Sequence, residues 1–71
     1  MLTKLNLFTR RQRDVIHLVA EGLTNTQIAT ELGFSESTIR QETMRIYEIL
    51  GATGRADAVR MYRAVGARKV S

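Results

Sequence analysis

A chain of 71 residues can build one compact core but not two, so the sequence predicts a single domain, residues 1–71 with a core over 7–66, and no sensing or enzymatic domain beside it. With 44% hydrophobic and 25% charged residues the balance is globular, and with no cysteine and His17 as the lone histidine a disulfide framework, a redox pair and a clustered zinc site are excluded. The formal charge of +4 favours a polyanionic partner, and no apolar run approaches the ~18 residues of a membrane span.

The chain lacks proline and strand-like alternation, and its glycines fall where helical patterns end, which is an all-α layout. A first helix, about 9–21, starts where T-R-R-Q lets Thr9 and Gln12 form a capping box, and Phe8, Val15, Ile16 and Val19 give it one apolar face. A second, about 25–32, opens on T-N-T-Q from Thr24 to Gln27 and runs through Ile28, Ala29 and Leu32 to Gly33. Ser35 is a good N-cap for a third, about 36–50, whose buried face is Ile39, Thr43, Ile46 and Leu50 and which Gly51 stops. Thr53 and Gly54 open a fourth, about 55–65, with Asp57 in its first turn, where a negative charge suits the helix dipole. Its core side is Ala58, Val59, Tyr62 and Val65.

The tight glycine-containing turn in T-E-L-G-F-S, between the second and third helices, has the form of a helix-turn-helix. Many small bundles contain such a turn, so by itself it does not decide for DNA. Charge distribution adds a pointer. Residues 14–36 carry only Asp14, Glu21, Glu31 and Glu36, whereas from Ser37 onward Arg40, Arg45, Arg55, Arg60, Arg63, Arg68 and Lys69 stand against Glu42, Glu48 and Asp57. A nucleic-acid surface is expected in that last half.

On the third helix, Ser37, Arg40, Gln41, Met44, Arg45 and Glu48 lie opposite the buried face. Arginine can bond guanine bidentately, glutamine can bond adenine, and Met44 can touch a thymine methyl; the alternative is a solvated face with Arg45 paired to Glu48. Ser35, Ser37 and Thr38 begin the third helix, and Thr24, Asn25 and Thr26 the second, where free amides and the positive dipole end suit a phosphate. Ser35 can equally be a simple cap. On the fourth helix Asp57, Met61, Ala64 and Arg68 share a side with a small apolar centre, the composition of a modest two-fold seam, unless Met61 only covers the edge of the core. No nucleophile, base and orienting group form a recognisable arrangement, so neither enzyme activity nor a cofactor is expected. With no apolar span, and a start, MLTKLNLF, too short for a signal peptide, the expected compartment is the cytoplasm.

The string FTRRQRDVIHLVAEGLTNTQIATELGFSESTIRQETMRIYEILGATGRADAV closely resembles the LuxR-type (GerE-like) DNA-binding domain found at the C-terminus of NarL/FixJ-type response regulators. The resemblance runs from Leu7 to Val59 and is carried by Phe8-Thr9, E-G-L-T-N at Glu21 to Asn25, Ile28-Ala29, S-E-S-T-I at Ser35 to Ile39, Leu50-Gly51, and Arg55 with Ala58-Val59. It implies a four-helix bacterial transcription regulator domain that binds double-stranded DNA as a homodimer. The third helix would enter the major groove and present Arg40, Gln41, Met44 and Arg45, and the fourth would mediate dimerisation through Asp57, Met61, Ala64 and Arg68. Asn25 and Arg55 would clamp backbone phosphates, with Thr24, Ser35, Ser37 and Thr38 beside them.

The chain departs from the family pattern at four places: Gln12 stands for a usual glutamate, Glu42 for a usual histidine, Thr26 for a usual lysine, and Ile49 for a frequent basic residue. Glu42 falls on the flank of the buried face, so it is expected to be partly buried and hydrogen-bonded, with Gln12 a candidate partner. Two rival readings stay open: a protein-interaction module that docks on RNA polymerase or another regulator without reading bases, and region 4 of a sigma factor, which fits the E-G-L-T-N and L-G strings less well.

Overall fold

The protein's structure, a computed structural model, describes residues 7–70, and side chains as far as Val65. Four helices follow one another: α1 (Arg10–Ala20), α2 (Asn25–Leu32), α3 (Glu36–Leu50) and α4 (Arg55–Val70), with no strand among the described residues. The first three begin at side-chain caps that satisfy amides the helix leaves without partners. Thr9 Oγ1 accepts from the Gln12 amide at 3.1 Å while Gln12 Oε1 accepts from the Thr9 amide at 3.0 Å. Thr24 and Gln27 repeat the arrangement at α2, at 3.2 and 2.8 Å. Ser35 Oγ accepts from the Thr38 amide at 3.1 Å and starts α3.

Between α2 and α3 only Gly33, Phe34 and Ser35 intervene. Gly33 has φ +78°, and both its amide and that of Phe34 donate to the Ala29 carbonyl, at 2.9 and 3.0 Å. Nothing lies within 4 Å of where a Cβ would stand, so glycine is required here by the left-handed backbone rather than by crowding. The left-handed residue ends α2, and Phe34 and Ser35 complete the turn into α3.

The core draws on every helix. Val15, Ile16 and Val19 of α1, Ile28 and Ala29 of α2, Ile39, Ile46 and Leu50 of α3 and Ala58 of α4 are buried together with Phe8. Helix α3 packs against α1, α2 and α4, which makes it the central element and fixes its rotation. Truncating a fully buried isoleucine such as Ile39 to alanine costs about 2–5 kcal/mol, a large share of the about 5–15 kcal/mol of a small domain.

The sequence places the end of the fourth helix near residue 65, at Gly66, but α4 continues to Val70. A glycine inside a helix costs only about 1 kcal/mol against alanine, and without a following proline nothing prevents the i to i−4 ladder from running on.

Candidate nucleic-acid interface

The buried residues of α3 are Ile39, Thr43, Ile46 and Leu50, spaced so that the other side of the helix is left to solvent. On that other side Ser37, Arg40, Gln41, Met44, Arg45 and Glu48 are all exposed. Met44 is an apolar side chain left 60% exposed on this face.

A shallow groove lies along this face. Glu36, Arg40, Thr43, Met44 and Tyr47 form its α3 wall, Gly22, Thr24, Asn25 and Thr26 form the opposite wall at the start of α2, and Arg55 closes it from α4. The structure thus brings together six of the residues singled out from sequence: Thr24, Asn25, Thr26, Arg40, Met44 and Arg55. Gln41 and Arg45 are exposed one position farther round α3, outside the groove lining, and Arg45 Nε pairs with Glu48 Oε1 at 3.7 Å. Ser35, Ser37 and Thr38 stand at the α3 N-terminus, also outside it. The Ser35 hydroxyl caps the helix and donates to Thr38 Oγ1 at 2.9 Å, so its one proton is already given inside the domain.

Arg55 has a structural task as well. Its Nη2 donates to the Leu23 carbonyl and, at 3.4 Å, to the Val19 carbonyl. It therefore ties the start of α4 to the loop that ends α1, which holds the groove's two sides in register.

Tyr47, Thr43 and Glu36 belong to the groove although the sequence reading did not assign them to it. Tyr47 lies between the buried stripe and the exposed one and is half-buried; its position three residues beyond Met44 was the available signal. Glu36 stands four residues before Arg40, and the two pair at 3.5 Å.

The flank of α3 carries Glu42, whose side chain is 19% exposed. Its Oε1 accepts from Gln12 Nε2 at 3.1 Å and its Oε2 pairs with Arg11 Nη1 at 3.2 Å. The bonding expected between positions 12 and 42 is present. Arg11 also lies over the Phe34 ring, 4.4 Å from its centroid, so α1, α3 and the turn are joined at one point.

On α4, Asp57 is taken up locally. The Thr53 amide donates to Oδ2 at 3.0 Å, and Arg60 pairs with Oδ1. The Thr53 hydrogen bond first, and the Arg60 guanidinium second, hold the Asp57 carboxyl below its ordinary value. Met61 is half-buried and packs against the core, so it does cover the core's edge. Ala64 is exposed, and the Arg68 side chain lies outside the described residues. Among the described residues no group of three or more His, Cys, Asp or Glu is placed to hold a metal ion, and no helix is long and apolar enough to cross a membrane.

Two helices joined by a glycine-led turn, the second lying across the core with an exposed and chemically varied face, make a helix-turn-helix, and the family match makes it a DNA-binding domain of transcription regulation. Residues 6–62 match the family described as bacterial regulatory proteins, luxR family, and the chain belongs to that family. It is similar to the spore germination protein GerE of Bacillus subtilis, 40% identical over 53 residues that make up 75% of this chain and 72% of that protein. It is also similar to the "probable transcriptional regulatory protein SgaR" of Hyphomicrobium methylovorum, 34% identical over 61 residues, 86% of this chain and 29% of that protein. A third relative, nodulation protein W of Bradyrhizobium diazoefficiens, is 38% identical over 56 residues, 79% of this chain and 25% of that protein. The chain thus spans under a third of two of these relatives and most of the other.

Proposed function

We propose that this domain binds double-stranded DNA sequence-specifically in the bacterial cytoplasm, with α3 in the major groove and two copies on two half-sites. The observation that carries the reading is the division of α3. Four residues anchor one face in the core, while Arg40, Gln41, Met44 and Arg45 leave the other supplied with donors for guanine and adenine and an apolar group for a thymine methyl. Asn25, Thr24 and Arg55 border the same groove and suit the phosphates on either side of the helix, contacts that set register without reading sequence. Residues 1–71 act as one domain in this reading, and α4 supplies the seam between two copies, with Ala64 at its exposed centre.

The test is selection of bound duplexes from a random pool, followed by titration across salt. A recovered motif with two half-sites about one helical turn apart, and a salt slope corresponding to roughly 3 to 5 phosphate contacts per subunit, is the expected result. A domain that docks on RNA polymerase instead returns no motif and little salt-dependent DNA binding.

A further inference from the structure

Glu36 is the one acidic side chain that lines the groove among the described residues. Both of its carboxylate oxygens are engaged: Oε2 accepts from the Thr26 hydroxyl, and Oε1 pairs with Arg40 Nη2 at 3.5 Å. Its side chain is nonetheless 46% exposed, so the charge sits where an approaching duplex would meet it. Of the two cations lining the groove, Arg55 is turned toward main-chain carbonyls, and Arg40 is the one held by Glu36. Over its whole length α3 carries Glu36, Glu42 and Glu48 against Arg40 and Arg45, a formal excess of one negative charge. Affinity for DNA of arbitrary sequence comes from neutralising phosphates, and this helix is poorly furnished for that.

Phosphates and base edges meet the Glu36–Arg40 pair differently. A phosphate bonded to Arg40 brings its own negative charge beside the Glu36 carboxylate. A guanine edge offers Arg40 two neutral acceptors, so the ion pair can persist while the base is read. We propose that Glu36 is a specificity-determining positioning residue: it holds Arg40 and penalises phosphate contacts, which lowers affinity for arbitrary DNA while leaving base readout intact. The inference rests on the DNA-binding reading above and deepens it.

Glu36→Gln keeps an acceptor for Thr26 and removes the charge. Binding of wild type and variant is measured on the duplex that wild type selects from a random pool and on an unrelated duplex of equal length, at several salt concentrations, with thermal melts to confirm folding. The variant is expected to bind the unrelated duplex roughly fivefold more tightly, the factor for one like-charge repulsion at about 4 Å in water. Its salt slope on that duplex should steepen by about one, and its affinity for the selected duplex should change much less. Glu36→Asp, which keeps the charge, should stay near the wild-type ratio of affinities. Equal gains on both duplexes, or a ratio that falls only because the selected duplex is lost, overturn the proposal, the latter because it would make Glu36 a base contact. Wild type that binds neither duplex overturns the DNA-binding reading and this inference with it, whereas discrimination that Glu36→Gln leaves unaltered overturns the inference alone.

Discussion

Gln12 and Glu42, on different helices, are joined by a 3.1 Å hydrogen bond from Gln12 Nε2 to Glu42 Oε1. Gln12 meanwhile uses its Oε1 to cap the Thr9 amide, so its two amide atoms serve two helices. A glutamate at 12 would cap equally well but would face Glu42 with a like charge. Gln12→Glu and Glu42→Ala are therefore each expected to cost about 1–3 kcal/mol, the penalty for a partly buried polar group left without its partner. Combining Gln12→Glu with Glu42→Gln restores donor and acceptor and should recover much of the first loss. Urea denaturation measures it; strictly additive effects would show that the pair is not coupled.

Arg40→Ala removes the groove-lining guanidinium that Glu36 holds. Binding to the selected duplex is expected to weaken by about 1–3 kcal/mol and one base preference to relax, while stability stays within about 0.5 kcal/mol because the side chain is exposed. Competition between duplexes that differ at single positions reads the effect, and an unchanged preferred sequence would remove Arg40 from the reading set.

Arg55→Ala acts on two levels. It deletes the tie to Val19 and Leu23 and, because the side chain is exposed, should lower stability by about 0.5–1.5 kcal/mol, the net value of a typical intramolecular hydrogen bond. It should also weaken binding to every sequence and flatten the salt slope by about one. Lysine lacks the planar fork, so Arg55→Lys is expected to keep more of the salt slope than of the stability. Calorimetry and a salt titration on the same samples separate the two.

Met61 packs partly against the core, which makes Ala64, exposed on α4, the cleaner probe of a seam. Ala64→Glu should leave circular dichroism and binding to a single half-site unaltered and weaken binding to a two-half-site duplex. The contrast should show mainly on DNA, because so small a patch falls far short of the roughly 1,200 Å² of a stable interface. Equal losses on both duplexes reject the seam.

Asp57 gives a pH dependence of defined sign. Its carboxyl is held below its ordinary value of 3.8, chiefly by the Thr53 amide and then by Arg60. The ionised form is therefore favoured by folding. Its contribution is complete above that ordinary value and is lost as pH falls through the lower folded-state value. Asp57→Asn should lower the melting temperature at pH 7 and lessen the further fall between pH 5 and pH 2 relative to wild type. An identical acid profile would show that Asp57 plays no part.

The helices were legible because their signals are local: a box at Thr9 and Gln12, another at Thr24 and Gln27, a left-handed glycine at 33. The 3.6-residue repeat likewise separates Ile39, Thr43, Ile46 and Leu50 from Arg40, Met44 and Arg45. What sequence could not give is which exposed residues meet across helices. That Arg55 turns back to the Leu23 carbonyl, and that Thr26 reaches Glu36, depends on how α2, α3 and α4 are set against one another, and no period along the chain encodes that. The end of α4 was missed for a related reason. Gly66 is a local signal for termination, yet its energy is too small to overrule a helix with nothing to stop it.

The division of α3 bears on how such a domain can diversify. Because Ile39, Ile46 and Leu50 hold the helix while Arg40, Gln41, Met44 and Arg45 lie outside the core, the outward set is free to drift without endangering the scaffold. On the proposed reading of α3, a duplicated copy could acquire a new operator by exchanging those four side chains, and most intermediates along the way would still fold. A library randomised at the four positions should accordingly yield mainly folded members. Its members would differ in target sequence, not in architecture.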